Sequence, residues 1–196
     1  MTTPATHIDW NAALREQLTF HWETALRPRF AGLTDDEYLW EPAGGAWSVR
    51  RRGASATPPG AGSGEWVCDF AFPQPDPPPV TTIAWRLAHV IVGVFGMRVH
   101  SHFGGPAIDF TSHAYAGTAD EALAQLDDGY RRWVAGVAAL GTDGLARPCG
   151  PAEGPYADEP LSTLVLHIHR EVLHHGAEIA LLRDLYRARG GTPVTR

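Results

Sequence analysis

HIHREVLHHGAEIALLRDLY, residues 167–186, threads imidazoles and carboxylates through a stretch whose aliphatic residues recur at helical spacing. On a wheel of about 100 degrees per residue, Leu164, Ile168, Val172, His175, Ile179, Leu182 and Tyr186 form one inward stripe. His175 lies near the middle of that stripe and Glu171 at its edge, one helical turn apart. Glu178 and His167 sit further round, His174 further still, and His169 and Arg170 point toward solvent. The helix is expected from near Leu161 to about Arg189, stopped by Gly190 and Gly191.

Working outward, WRLAHVIVGVFGMR, residues 85–98, belongs to another strongly apolar helix, expected over 82–101 with Thr82 as its N-cap. Trp85, His89, Val92, Gly96 and His100 fall roughly on one side of it. Residues 10–31 carry Leu14, Leu18, Phe20, Trp22 and Leu26, with Asp9 as a cap and Pro28 distorting the end. Residues 119–140 carry Leu123, Leu126, Tyr130, Trp133 and Val137 behind a Thr118–Glu121 capping box. Four main helices with long connections predict an all-α chain, an elaborated four-helix bundle forming a single domain over 1–196. No alternating pattern of usable strand length is present.

Between the first two helices, GLTDDEYLWEPAGGAWSV, residues 32–49, holds a Thr34–Glu37 capping box for a short helical turn. Trp40 and Trp47 bracket a turn and are read as clamping a loop onto the core. From about 50 to 80 the chain is rich in proline and glycine, so no helix should persist there. This excursion is expected to touch the body through Trp66 to Phe72. Arg50, Arg51 and Arg52 read as a solvated face, with attraction of an anionic substrate as the alternative.

The formal charge of −6 argues against a nucleic-acid-binding face. Cys68 and Cys149 form no CxxC pair, so no zinc-ribbon or redox motif is present. The first ten residues have neither a basic start nor an apolar run, so no signal peptide is expected. The longest apolar stretch is interrupted by Arg86, His89 and Arg98, and no membrane span is expected. These features fit a cytoplasmic protein acting on a small molecule, with a homodimer left open.

A carboxylate on the apolar side of a long helix must be paired, protonated or metal-bound. Glu171 and His175 need one more ligand for a three-donor site, and His89 is the best candidate. Such a set leaves positions open for water or substrate, as in catalytic zinc sites; nickel, iron or manganese also accept these donors. The competing reading is a buried Glu–His hydrogen bond without metal. His174 and His167 compete for a ligand place, or His174 orients Glu171 while Glu178 orients His175. His100 is too far along its helix, His102 and His113 lie in a loop from which they could reach inward, and His7 and His21 read as surface or packing residues.

Three segments, GLTDDEYLWEPAGGAWSV, TTIAWRLAHVIVG (81–93) and HREVLHHGAEIALLRDLY (169–186), resemble the DinB/YfiT-like metalloenzyme family. The resemblance implies a four-helix bundle with a central metal. One ligand comes from the second helix, where His89 stands, and two from the fourth, where Glu171 and His175 stand. Most members have histidine at both fourth-helix places; the His/Glu/His set is similar instead to the mycothiol-dependent maleylpyruvate isomerase branch. Characterised relatives act with bacillithiol, mycothiol or glutathione. The resemblance therefore implies a zinc or nickel enzyme, with manganese or iron also compatible, that transfers a mycothiol-like thiol. Arg98 or Arg132 would hold an anionic part of the substrate. A metal-dependent hydrolase and a noncatalytic binding or stress-related protein are the alternatives.

Overall fold

The computed structural model describes residues 8–190. His7, Gly191 and the stretch read for a signal peptide lie outside the described residues, apart from its last three positions. Helix α1 runs from residue 10 to 29 as an α segment Trp10–His21, a π segment Trp22–Leu26 and an α turn Arg27–Arg29. Asp9 caps it, its carboxylate accepting from the Ala12 N–H at 3.0 Å. Pro28 lacks an N–H and crowds the carbonyl four residues back, and the wider π turn stands immediately before it.

Helix α2, Asp35–Leu39, is closed by the expected capping box between Thr34 and Glu37. An antiparallel ribbon follows: β1, Val49–Arg51, pairs with β2, Trp66–Cys68, in the register Val49 to Cys68. Helix α3 spans 83–103 as Ile83–His89, a π segment Val90–Gly96 and Met97–Phe103. Thr82 caps it through the Trp85 N–H. Helix α4, Ala119–Leu145, is capped by Thr118 and broken at Gly141, whose φ of 61° few other residues adopt. A 3-10 helix, Pro151–Tyr156, precedes α5, Leu161–Ala188.

The chain is all-α with long inter-helix loops, but the expected four-helix bundle is not what forms. The described residues make six helices, α1 to α5 and the 3-10 helix, and a two-stranded ribbon. Helices of five or six residues and strands of three are too short to display a period, so periodicity found the long helices and passed over these elements. No helix among the described residues is long and apolar enough to cross a membrane.

The core lies where α1, α3, α4 and α5 meet, around the fully buried Trp133, Phe95, Leu87, Ile168 and Ile179. Trp22 stacks on Tyr130 at 3.9 Å between ring centroids, joining α1 to α4. Helix α5 buries a wider arc than a single stripe because α1, α3 and α4 all pack on it. His169, expected at the surface, is consequently buried at 6% exposure and meets the edge of Trp133.

Two buried carboxylates tie the short elements down. Glu37 takes a two-pronged bond from Arg183 of α5, at 2.8 and 3.0 Å, and Arg183 also donates to the Arg29 and Ala31 carbonyls. Asp69 has no solvent exposure. Its carboxylate accepts from the Ser48 and Ala56 N–H groups, Arg50 Nε and the Ser55 hydroxyl, which gathers the proline-rich excursion against β1. The three arginines at 50–52 are engaged by the protein itself: Arg50 with Glu41 and Asp69, Arg51 with Glu65, Arg52 with the Gly62 and Gly64 carbonyls. Trp40 and Trp47 are buried, and Trp47 bridges to Val80 and Thr82 through its backbone.

Candidate metal centre

Helices α3 and α5 bring three donors to one point. His89 is the last residue of the first α segment of α3, directly before the π segment. Glu171 and His175 lie one turn apart on α5. One donor atom from each of the three residues lies within 4.8 Å of the other two. The His89 and His175 rings meet edge to face, 4.7 Å between centroids. His175 Nε2 stands 3.3 Å from Glu171 Oε2. Ligands at about 2.1 Å from a tetrahedral zinc are about 3.4 Å apart, so this pair already has the separation of two donors to one ion.

The opposite nitrogen of His175 is engaged. Its Nδ1–H donates to Glu178 Oε2 at 2.7 Å, and Glu178 is held in turn by Arg86 at 3.1 Å. A carboxylate on one imidazole nitrogen fixes the tautomer and leaves the other nitrogen's lone pair free for a cation. His89 stacks flat on Trp85, 5.7 Å away. Burial pushes its imidazole down to about 4, and the facing His175 pushes the same way against the pull of Glu171. At neutral pH it therefore offers a lone pair without first losing a proton.

The remaining candidates fall into place around these three. His167 Nδ1 is 3.7 Å from Glu171 Oε1 and accepts from Arg170 at 2.8 Å, so besides His175 it is His167, not His174, that flanks Glu171. His174 is exposed and faces Glu178 at 3.5 Å. His174, His175 and Glu178 also cluster within 4.8 Å, but there Glu178 already neutralises Arg86 and His175 presents its bonded nitrogen. His100 bonds the Gly105 carbonyl, His102 bonds Glu153, and His113 bonds Gln125.

A cavity of about 530 Å³ reaches His167, one turn before Glu171, and is lined also by Arg98, Cys149, Glu153, Tyr156 and Arg170. Arg98 donates to the Gly93 carbonyl, left open by the π segment, and to Glu153. Arg132 lies elsewhere, paired with Asp128 at 2.6 Å beside a separate cavity of about 130 Å³.

Residues 57–179 match the DinB superfamily. The chain belongs to the DinB superfamily. The part matching the DinB superfamily contains His89, Glu171, His175 and Glu178, and ends before Arg183. It starts inside the excursion, so GLTDDEYLWEPAGGAWSV and α1 lie outside it. No curated protein and no solved structure matches this DinB-superfamily chain.

Sequence reasoning missed Arg86. Its partner Glu178 is on another helix, and only the register of α3 against α5 pairs them. The i,i+4 spacing of Trp85 and His89 was the one local signal for the stacked indole.

Proposed function

We propose that this DinB-superfamily chain is a divalent-metal-dependent enzyme that transfers or adds a low-molecular-weight thiol of the mycothiol type to a small electrophile. The observation carrying this reading is the convergence of His89, Glu171 and His175, with His175 Nδ1 already committed to Glu178. Two neutral nitrogens and one carboxylate suit zinc or nickel, and manganese or iron also accept them. A cation held there supplies Lewis acidity, which lowers the pKa of a bound thiol or water.

Two further observations favour thiol chemistry over hydrolysis. A space of about 530 Å³ that reaches His167, one turn from Glu171, suits a metabolite-sized cosubstrate. Arg98 and Arg170 supply cationic groups for its polar body, with His167 between them and Glu171. The chain's own sulfurs are poor nucleophiles: both cysteines are free and buried, and burial pushes both thiols up, that of Cys149 included although it borders the cavity. The reacting sulfur then comes from the cosubstrate. In an addition the S–H bond is exchanged for an S–C bond, and the proton ends on the neighbouring carbon of the electrophile.

Elemental analysis of untagged protein tests the site. About one divalent metal per chain is expected, lost in His89→Ala and kept in His169→Ala. Consumption of mycothiol with a bimane electrophile then tests the reaction. No metal after reconstitution with zinc, nickel, manganese and iron would overturn the reading and leave Glu171 a hydrogen-bonded carboxylate.

A further inference from the structure

The excursion and the loop after α3 both return to His89. Trp85, His89 and Gly93 follow one another at helical-turn spacing along α3. A side chain on Gly93 would have its Cβ 3.4 Å from His89 Nδ1 and 3.0 Å from Phe110 Cζ. The Phe110 ring therefore occupies the side-chain place that Gly93 leaves empty, next to the His89 imidazole. Phe70 stacks on Phe110, 5.6 Å between centroids and 15° between planes. The residue before it, Asp69, accepts the Trp85 Nε1–H on its carbonyl at 2.8 Å. Trp85 in turn lies flat against His89. The contacts close a ring, from His89 through Trp85, Asp69, Phe70 and Phe110 to Gly93 and back.

The excursion is thus more than a surface insertion. Asp69 is fixed from four sides, so Phe70 is presented from a rigid base. Phe70 nevertheless keeps 43% of its surface exposed. An aromatic ring held in place yet left half open, stacked on the ring that packs at Gly93 near His89, has the character of a wall for a ligand rather than of core packing.

We propose that Phe70 and Phe110, with Trp85 behind them, form an aromatic wall beside the donor set, and that the electrophile this site takes carries a flat aromatic or conjugated group which stacks there. The inference rests on the metal-dependent reading above and adds the substrate class. A planar group stacked along Phe70 and Phe110 would extend toward the face of His89 that Gly93 leaves without a side chain. Exposed Phe70 is the specificity-determining member, because its removal changes the wall without opening the core.

The test uses two small metal-binding probes that share one chelating group, acetohydroxamate and benzohydroxamate. Both are titrated calorimetrically into the full-length, zinc-loaded protein and into its Phe70→Ala and Phe110→Leu variants. The aromatic probe should gain roughly five- to tenfold in affinity over the methyl probe from stacking. That preference should collapse in Phe70→Ala while acetohydroxamate binding is unchanged. If the preference persists undiminished in both folded variants, the wall is overturned and the metal reading stands. If neither probe binds zinc-loaded wild type, or zinc is not taken up, the metal reading fails and the inference falls with it.

Discussion

Glu178 accepts the His175 Nδ1–H and the Arg86 charge on one carboxylate oxygen, so it sets both the tautomer and the direction of a ligand it does not itself replace. Glu178→Gln should weaken zinc affinity about 10- to 100-fold in a chelator competition while the fold survives; unchanged affinity would reduce the Arg86–Glu178–His175 chain to surface pairing. His169 gives a separate prediction. Burial holds it at about 4, below the ordinary histidine value of about 6.5. The unfolded chain therefore binds this proton more readily. The stability is whole above about 6.5, falls as the pH drops toward 4, and levels off below. In metal-free protein His169→Phe should flatten the fall of the urea midpoint across that window, leaving the part due to His89 and His113, which burial also pushes down. An identical slope would place the proton uptake elsewhere. The pairing of Glu171 with His175 was legible in the sequence, because an acid one turn from a histidine on an aliphatic stripe is an anomaly at the level of single residues, and the structure brings His89 to the same point. The burial of His169 was not, because a wheel shows one helix and not how many neighbours surround it.

Gly176 lets α1 and α5 approach closely: a Cβ there would lie 2.3 Å from Leu26 Cδ1. Gly176→Ala gains helix propensity of up to about 1 kcal/mol but forces the leucine aside at about 1–3 kcal/mol. Net destabilisation is expected, read as a lower denaturant midpoint; a gain in stability would show that Leu26 moves freely. Asp69 plays the corresponding part for the excursion. Asp69→Ala strands the Ser48 and Ala56 amides and should open residues 52–64 to limited proteolysis while the helices remain intact. Cleavage no faster than in wild type would mean that the ribbon holds without it. The caps at Asp9, Thr34, Thr82 and Thr118 could all be read from sequence, since a cap is a local event. The ribbon could not. Its three-residue strands have no period, and the contacts that anchor the segment, Asp69 to Ser48 and Ala56 and Trp47 to Val80 and Thr82, join residues far apart in the chain.

At the scale of the molecule, the Glu37–Arg183 pair joins α2 to α5 at 4% and 1% side-chain exposure. Arg183→Met leaves Glu37 buried without its main partner and should cost about 3–5 kcal/mol, seen in chemical denaturation. Adding Glu37→Leu should recover much of that loss; no recovery would mean the loss arises from the Arg29 and Ala31 carbonyls. The pair also explains a limit of the sequence reading. GLTDDEYLWEPAGGAWSV and LLRDLY contribute to the resemblance on which a four-helix bundle was expected. In the structure Glu37 and Arg183 bind each other and serve the architecture, while the donors lie between them in the chain. Long helices announced themselves through periodicity; the short capped, bridged and ion-paired pieces that raise the count to six helices did not.

In α3, the π turn Val90–Gly96 places one extra residue's worth of chain between His89 and Arg98. The wider turn absorbs that residue; straightening it to α geometry with the residue kept would rotate everything beyond it by about 100° around the helix axis. His89 would stay facing α5, while Arg98 would swing away from Gly93 and Glu153. The helix behaves as a phase-setting gear, in which the wide turn keeps the donor end and the cavity end in step.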